Sequence, residues 1–282
     1  MESSTTPASA TTANSSSTPI SWSGTFPHHY DVNLGPFIFG PYARNLVNRI
    51  DFTDVDNVLE LACGTGQVTT LLADRLPTSV QLIATDLSPD MMRIAQAKLS
   101  NSTVQWAMVD MTAIPYESDT FDRVVCQFGI MFAPDKAQAF SEIYRVLKPG
   151  GRLFFNAWGP AAHNAVFAVF NDVLIRRMNI DMSIAEQGPF SMPDPQVVLQ
   201  YLENAGFRNC QVDSVAMTGE AESAHQAATG FFQGSVLSVT LQEKNPALAA
   251  SLQTEIEQAL RQQLGDKPMR TPLQAWVFEA TK

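Results

Sequence analysis

The chain has 282 residues, 45% of them hydrophobic, and a formal net charge of −10. That is enough apolar material for a full core, with no basic stripe of the kind that grips nucleic acid. There is also no apolar run of the roughly 20 residues needed to cross a bilayer. The three cysteines, Cys63, Cys126 and Cys210, sit in apolar stretches and read as reduced core thiols of a cytoplasmic protein.

Residues 3–25 are almost entirely Ser, Thr, Ala, Pro and Asn. They bury too little apolar area to offset their chain entropy, so residues 1–25 are expected to form a disordered tail. They carry no Lys or Arg and no apolar h-region, so a secretory signal is not expected. Order is expected from Phe26. Pro41 suits the first position of a helix, with Ala43, Leu46, Val47 and Ile50 on one face.

Alternating units follow. Strands are expected at Val58–Ala62, Gln81–Asp86, Val104–Val109, Phe121–Gln127 and Leu153–Trp158. Between them, Gln67–Leu76 reads as a helix, Ser88 caps a second with Pro89 at its first position, and Pro134 opens a third. Lys148-Pro149-Gly150-Gly151 stops that third helix. Strands that alternate with helices imply parallel βαβ units with right-handed crossovers. After the fifth strand the rhythm changes. Asp194 and Pro195 start a helix that Gly206 ends, and Cys210–Met217 and Gln274–Thr281 read as strands. Residues 218–264 are helical in pattern, with Leu248, Leu252, Ile256, Leu260 and Leu264 recurring every fourth position.

The chemistry concentrates where three successive strands end. Ala62-Cys63-Gly64-Thr65-Gly66 joins the first strand to its helix. Glycines there allow positive φ and a close approach of ligand to backbone, and the helix start offers free N–H groups. Asp86 lies 20 residues beyond Gly66 and closes the second strand, where a carboxylate can accept both hydroxyl hydrogens of a ribose. Asp110 closes the third and could accept from an exocyclic adenine amine. A nicotinamide dehydrogenase would want a third glycine where Thr69 stands, and has no evident need for Glu60 inside the first strand.

ELACGTG, ATDLSPDMM, VDMTAIPYESDTFD and EIYRVLKPGGRLFF, in that order and spacing, resemble a class I S-adenosylmethionine-dependent methyltransferase. They are most similar to the branch that includes the ubiquinone/menaquinone-biosynthesis methyltransferases. The resemblance covers residues 55–160 strongly. It implies an α/β, Rossmann-like fold, with a seven-stranded, mostly parallel sheet, helices on both faces and a helical cap. It implies S-adenosylmethionine as methyl donor, with Glu60 near its amino group, and Ala62, Cys63 and Gly64 against the methionyl chain and ribose. Asp86 would take the ribose hydroxyls, Leu87 and Met91 would flank the adenine, and Asp110 and Met111 would meet its amine and ring. Gln127 would present a carbonyl to the ammonium, and Tyr30 would lie near the cofactor carboxylate. Ala62 departs from the pattern, since many relatives carry glycine there.

Methyl transfer from a sulfonium releases a neutral thioether, so the reaction calls for no metal, and the protein's task is to align the reacting atoms. The acceptor is expected to be a small, apolar or aromatic molecule. Its pocket should come from cap elements near 26–50, 159–193 and 218–272, where Phe37, Phe39, Phe132, Phe167, Phe170, Met178, Phe190, Phe231 and Phe232 gather. Most of these could equally bind the cap to the sheet. His28, His29, His163 and His225 read as surface or capping residues, and no catalytic base is assigned. The chain is expected to work as one methyltransferase domain over 26–282, as a monomer or homodimer, without nucleic acid. The rival reading is a non-methylating or regulatory S-adenosylmethionine-binding protein on the same scaffold.

Overall fold

Val58, Leu59 and Leu61, in a strand with no charge but Glu60, have room for burial on both faces, and the chain packs them at the centre of a sheet. The computed structural model describes residues 26–179 and 188–282. The expected tail, residues 1–25, and the middle of the expected 159–193 cap lie outside the described residues.

Seven strands form one sheet: β1 (Asn57–Leu61), β2 (Gln81–Asp86), β3 (Gln105–Met108), β4 (Phe121–Gln127), β5 (Leu147–Trp158), β6 (Arg208–Ala221) and β7 (Met269–Thr281). Their order is β3-β2-β1-β4-β5-β7-β6. The pairings from β3 to β5 are parallel, and β7 is antiparallel to both β5 and β6. The strand order reverses between β1 and β4, so a crevice opens beyond their carboxyl ends.

Alternation along the strands divides the core. Val58, Val125 and Phe154 face α2 (Gly40–Asn48) and α3 (Gln67–Arg75), against Leu46, Val47, Val68 and Leu72. Leu59, Val124, Leu153 and Phe155 face the other way, against Phe140 and Ile143 of α5 (Lys136–Val146) and Val198 and Leu202 of α7 (Pro195–Ala205). Helix α4 (Pro89–Lys98) begins as its sequence requires, with the Ser88 hydroxyl accepting from the Met91 N–H.

Several expectations are corrected. The helical chain begins well before Pro41, with α1 (Phe26–His29) running into a π-wound segment, Tyr30–Phe39, and then α2. Pro36 stands inside that segment, where a missing N–H is tolerated by the wider winding. Asp135, not Pro134, caps α5, because its carboxylate reaches the Gln138 N–H at 2.9 Å. The stretch Lys148–Gly151 both ends α5 and begins β5. β6 and β7 run past their expected limits because each pairs antiparallel with the other along its length. Residues 218–221 are therefore strand, and the cap helices are α8 (Ala224–Gln233), α9 (Val236–Lys244) and α10 (Pro246–Leu264). Cys63 and Cys126 are buried, but Cys210 is only partly so.

Helices α8 and α10 pack with α6 (Ala165–Met178) and with the π-wound segment to form a layer beside the strand ends. Asn164, wholly buried, anchors the start of α6: its side chain donates to the Gln274 carbonyl at 3.1 Å and accepts from the Gln274 N–H at 2.9 Å.

Candidate active site

The loop after β1 is built from left-handed backbone. Ala62, Gly64 and Gly66 have φ of 53°, 56° and 85°. At Gly66 a side chain is excluded twice, by that φ and because a Cβ would lie 2.8 Å from the Cβ of Ala95 on α4. Ala62 holds its conformation against a cost of about 1–2 kcal/mol. This is the physical reason that glycine suits the position. Ala62 also approaches the loop after β4 so closely that a Cβ on Gly129 would fall 2.4 Å from its own.

Asp86 ties the first two strand ends together. Its Oδ2 accepts from the Gly64 N–H at 2.7 Å, and its Oδ1 from the Ser88 N–H at 2.8 Å. Burial raises its pKa, against the pull of these amides. Each oxygen keeps acceptor capacity for a further donor. Asp110 turns back on Thr112, whose N–H and hydroxyl both donate to Oδ1, at 2.8 and 2.7 Å.

These ends surround a cleft of about 280 Å³. Tyr30, Ala62, Gly64, Asp86, Leu87, Met91, Asp110, Met111 and Gln127 all line it. Leu87 is 59% exposed at its edge. A recess of about 30 Å³ adjoins it, lined by Glu60 and Cys63 and sharing Tyr30, Ala62, Gly64 and Gln127 with the cleft. All the residues that the resemblance assigns to the cofactor are thus brought to one place.

The recess is electrostatically unfinished. Glu60 is 1% exposed, and its Oε2 has no hydrogen-bond partner. Burial pushes its pKa up to about 8, Thr69 pulls it down and the Asp86 carboxylate adds to the rise. The Gln127 amide donates to the Phe39 carbonyl at 2.9 Å, which leaves its buried Oε1 without a donor. The Thr65 hydroxyl, also on the recess, is unpartnered as well. Buried acceptors left this way are costly unless a ligand supplies the donors. The Cys63 thiol is raised by burial and packs with Ala84 and Met92, so it acts as a small apolar group.

A second chamber, about 240 Å³, lies under the cap and shares Tyr30, Phe128 and Phe132 with the cleft. Of the apolar residues expected there, Phe39, Phe132, Phe167, Phe170, Phe190 and Phe231 line it, whereas Phe37, Met178 and Phe232 do not. None of the four histidines lines either space or the recess. His225 instead pairs with Glu257 at 2.8 Å on the surface.

Sequence reasoning missed several contributors. Phe128 takes φ 50°, with its N–H held by Asn156 Oδ1 at 2.9 Å, and stacks on Trp158 with ring centroids 4.0 Å apart. A polar Asn156 inside the apolar run LFFNAW was the available signal. Asp31 and Lys98 form an ion pair, Gln67 donates to Asp31 at 3.3 Å, and Lys98 donates to the Thr65 carbonyl at 2.8 Å. That network fastens the π-wound segment over the glycine loop.

Comparison with known proteins agrees with this architecture. A family model described as "Methyltransferase domain" matches residues 58–151. A ubiquinone/menaquinone biosynthesis C-methyltransferase UbiE of Geobacter sulfurreducens is 28% identical over 67% of this chain and 73% of its own length. A demethylmenaquinone methyltransferase of Lactiplantibacillus plantarum is 44% identical over 40% of this chain, and the match spans 49% of that protein. The solved structure of Haemonchus contortus phosphoethanolamine N-methyltransferase 2 in complex with S-adenosyl-L-methionine shares the fold, with a TM-score of 0.57 at 17% identity. It covers 93% of this chain and 57% of that one. Residues 58–151 thus match a methyltransferase domain, on a fold that the chain shares with solved methyltransferases. The curated relatives it resembles include ubiquinone/menaquinone biosynthesis and demethylmenaquinone methyltransferases. Among the described residues, no helix is long and apolar enough to cross a membrane.

Proposed function

We propose that the cleft and recess hold S-adenosylmethionine and that the aromatic chamber holds a flat, apolar acceptor of the quinol type. The observation that carries this reading is the meeting of the two spaces at one wall of Tyr30, Phe128 and Phe132. A donor in the cleft and an acceptor in the chamber would rest against the same three side chains, which brings them next to each other.

The residues fit the donor. Glu60 Oε2 and Gln127 Oε1 are buried acceptors in want of a cationic donor, which the methionyl ammonium supplies. Asp86 receives the ribose hydroxyls, Leu87 and Met91 cover the adenine, and Asp110 and Met111 take its edge. Ala62, Cys63 and Gly64 run along the chain between them, and Tyr30 closes over it. When bound, S-adenosylmethionine supplies the methyl group and leaves as a neutral thioether. The chamber contributes desolvation and orientation, since its described lining is mostly aromatic and aliphatic. The names of the curated relatives and the aromatic walls together support a quinone-type acceptor. Residues 26–282 act as one domain in this reading, as a cytoplasmic monomer or homodimer.

The test is formation of S-adenosylhomocysteine when the protein is given S-adenosylmethionine and a reduced demethylated naphthoquinone. Turnover that needs both, with the new methyl on a ring carbon, supports the reading. Tight binding of both ligands without S-adenosylhomocysteine would mark a non-methylating protein on this scaffold.

A further inference from the structure

The chamber is nearly uniform in chemistry, and its exceptions are informative. Tyr30 belongs to the wall shared with the cleft. The Ser235 hydroxyl already donates to the Phe232 carbonyl at 2.6 Å. Among the described residues, Asn171 on α6 is the remaining polar side chain of the lining, and its side-chain amide has no hydrogen-bond partner among them. It lies on the part of the lining not shared with the cleft. Its helix is fixed in place, since Asn164 is clamped to Gln274 and the Val166 N–H donates to Thr271 Oγ1 at 3.1 Å.

We infer that Asn171 sets acceptor specificity: it pairs with a hydroxyl on the acceptor ring, remote from the position that receives the methyl group. A carboxamide offers one acceptor and two donors, so it matches a hydroxyl, which both donates and accepts. An aromatic ring between Phe167, Phe170 and Phe231 would then have one polar edge toward Asn171 and its reacting edge toward Phe128 and Phe132. A site that pairs a substrate hydroxyl discriminates against the ring that lacks it, because the amide is then left unpaired. This inference rests on the chamber being the acceptor site.

The probes are 2-naphthol and naphthalene, with binding measured by equilibrium dialysis in the presence of saturating S-adenosylhomocysteine. Asn171→Leu should lower the ratio of naphthol to naphthalene affinity by about tenfold, the worth of one hydrogen bond in a shielded site. Naphthalene affinity itself should hold or rise. Asn171→Ala serves as the second variant and should shift the ratio the same way. Melting temperature and S-adenosylhomocysteine affinity establish that each variant is folded. Phe170→Ala should weaken both probes alike. If both probes bind and Phe170→Ala weakens them, but the ratio survives in both Asn171 variants, the role of Asn171 is refuted alone. If neither probe binds the natural chain, or Phe170→Ala changes neither, the chamber is not the acceptor site and the inference falls with it.

Discussion

Glu60 makes the sharpest prediction, because its burial gives folding a pH dependence of definite sign. In the folded chain the carboxyl keeps its proton up to about pH 8, against an ordinary value of 4.5. Below pH 4.5 both folded and unfolded chains hold the proton and Glu60 contributes nothing to the slope. Between the two values the unfolded chain has released the proton and the folded chain has not, so stability falls as pH rises; above pH 8 it levels off. Each pH unit of full difference is about 1.4 kcal/mol, so the window sums to about 5 kcal/mol at most. Asp86 is raised by burial too and acts in the same direction. Its share is removed by comparison with Glu60→Gln, whose amide imitates the protonated carboxyl. Urea denaturation of the ligand-free protein from pH 5 to 8.5 should show the two chains nearly equal at the acid end. The variant should then gain by several kcal/mol toward pH 8. The same substitution should weaken S-adenosylmethionine, since the ammonium loses its anionic partner, and binding to the natural chain near pH 7 should release a proton. Stability curves that run parallel for the two chains would refute the reasoning.

Asp86→Ala removes the acceptor of two loop amides and, in the proposed reading, of the ribose hydroxyls. It should lose about 1–3 kcal/mol of stability and one or more powers of ten in S-adenosylmethionine affinity; calorimetry that finds natural affinity in a folded variant excludes the assignment. Ala62→Gly relieves a left-handed alanine, by about 1–2 kcal/mol, less roughly 0.4–1 kcal/mol for the freer unfolded chain. Melting should show a small net gain, and a clear loss would mean the alanine methyl has a packing role that outweighs strain. Lys98→Met breaks a half-exposed pair worth up to about 1 kcal/mol. Amide exchange in residues 30–39 should rise a few-fold, slow again with S-adenosylhomocysteine, and stay unchanged around Leu59 and Val125.

What could be read from the sequence was what is decided locally. Ser88-Pro89, Asp194-Pro195 and Gly206 each satisfy or end a helix within one turn, and each stands where expected. The acidic strand ends are local too, because a parallel strand must turn at its carboxyl end whatever its neighbours do. The cap was not legible in that way. A π-wound segment has no 3.6-residue period to detect, and Tyr30–Phe39 reads as apolar chain interrupted by Pro36. The groups that fasten it, Lys98 with Asp31 and Gln127 with the Phe39 carbonyl, are 67 and 88 residues apart in sequence. Which phenylalanines face the chamber was equally hidden. Phe231 and Phe232 are neighbours on α8, and only helix rotation against the sheet puts the first on the chamber and the second in the core.

The shared wall also bears on how one scaffold can serve different acceptors. The cleft is drawn almost wholly from the ends of β1 to β4, and the chamber from the π-wound segment, α6 and α8. Three residues belong to both, and two of them, Phe128 and Phe132, lie just past β4 on a turn that is already constrained. Phe128 holds a left-handed backbone, Gly129 has no room for a side chain beside Ala62, and Asn156 pins the intervening amide. Strain of this kind persists only where the surroundings over-determine it. A substitution on the chamber face of α6 or α8 should therefore reshape the chamber more than the cleft, because the Phe128 amide is held by Asn156 of β5 and not by either helix. The converse does not hold: a change at Ala62, Gly129 or Asn156 moves the wall itself, and with it the boundary between cleft and chamber.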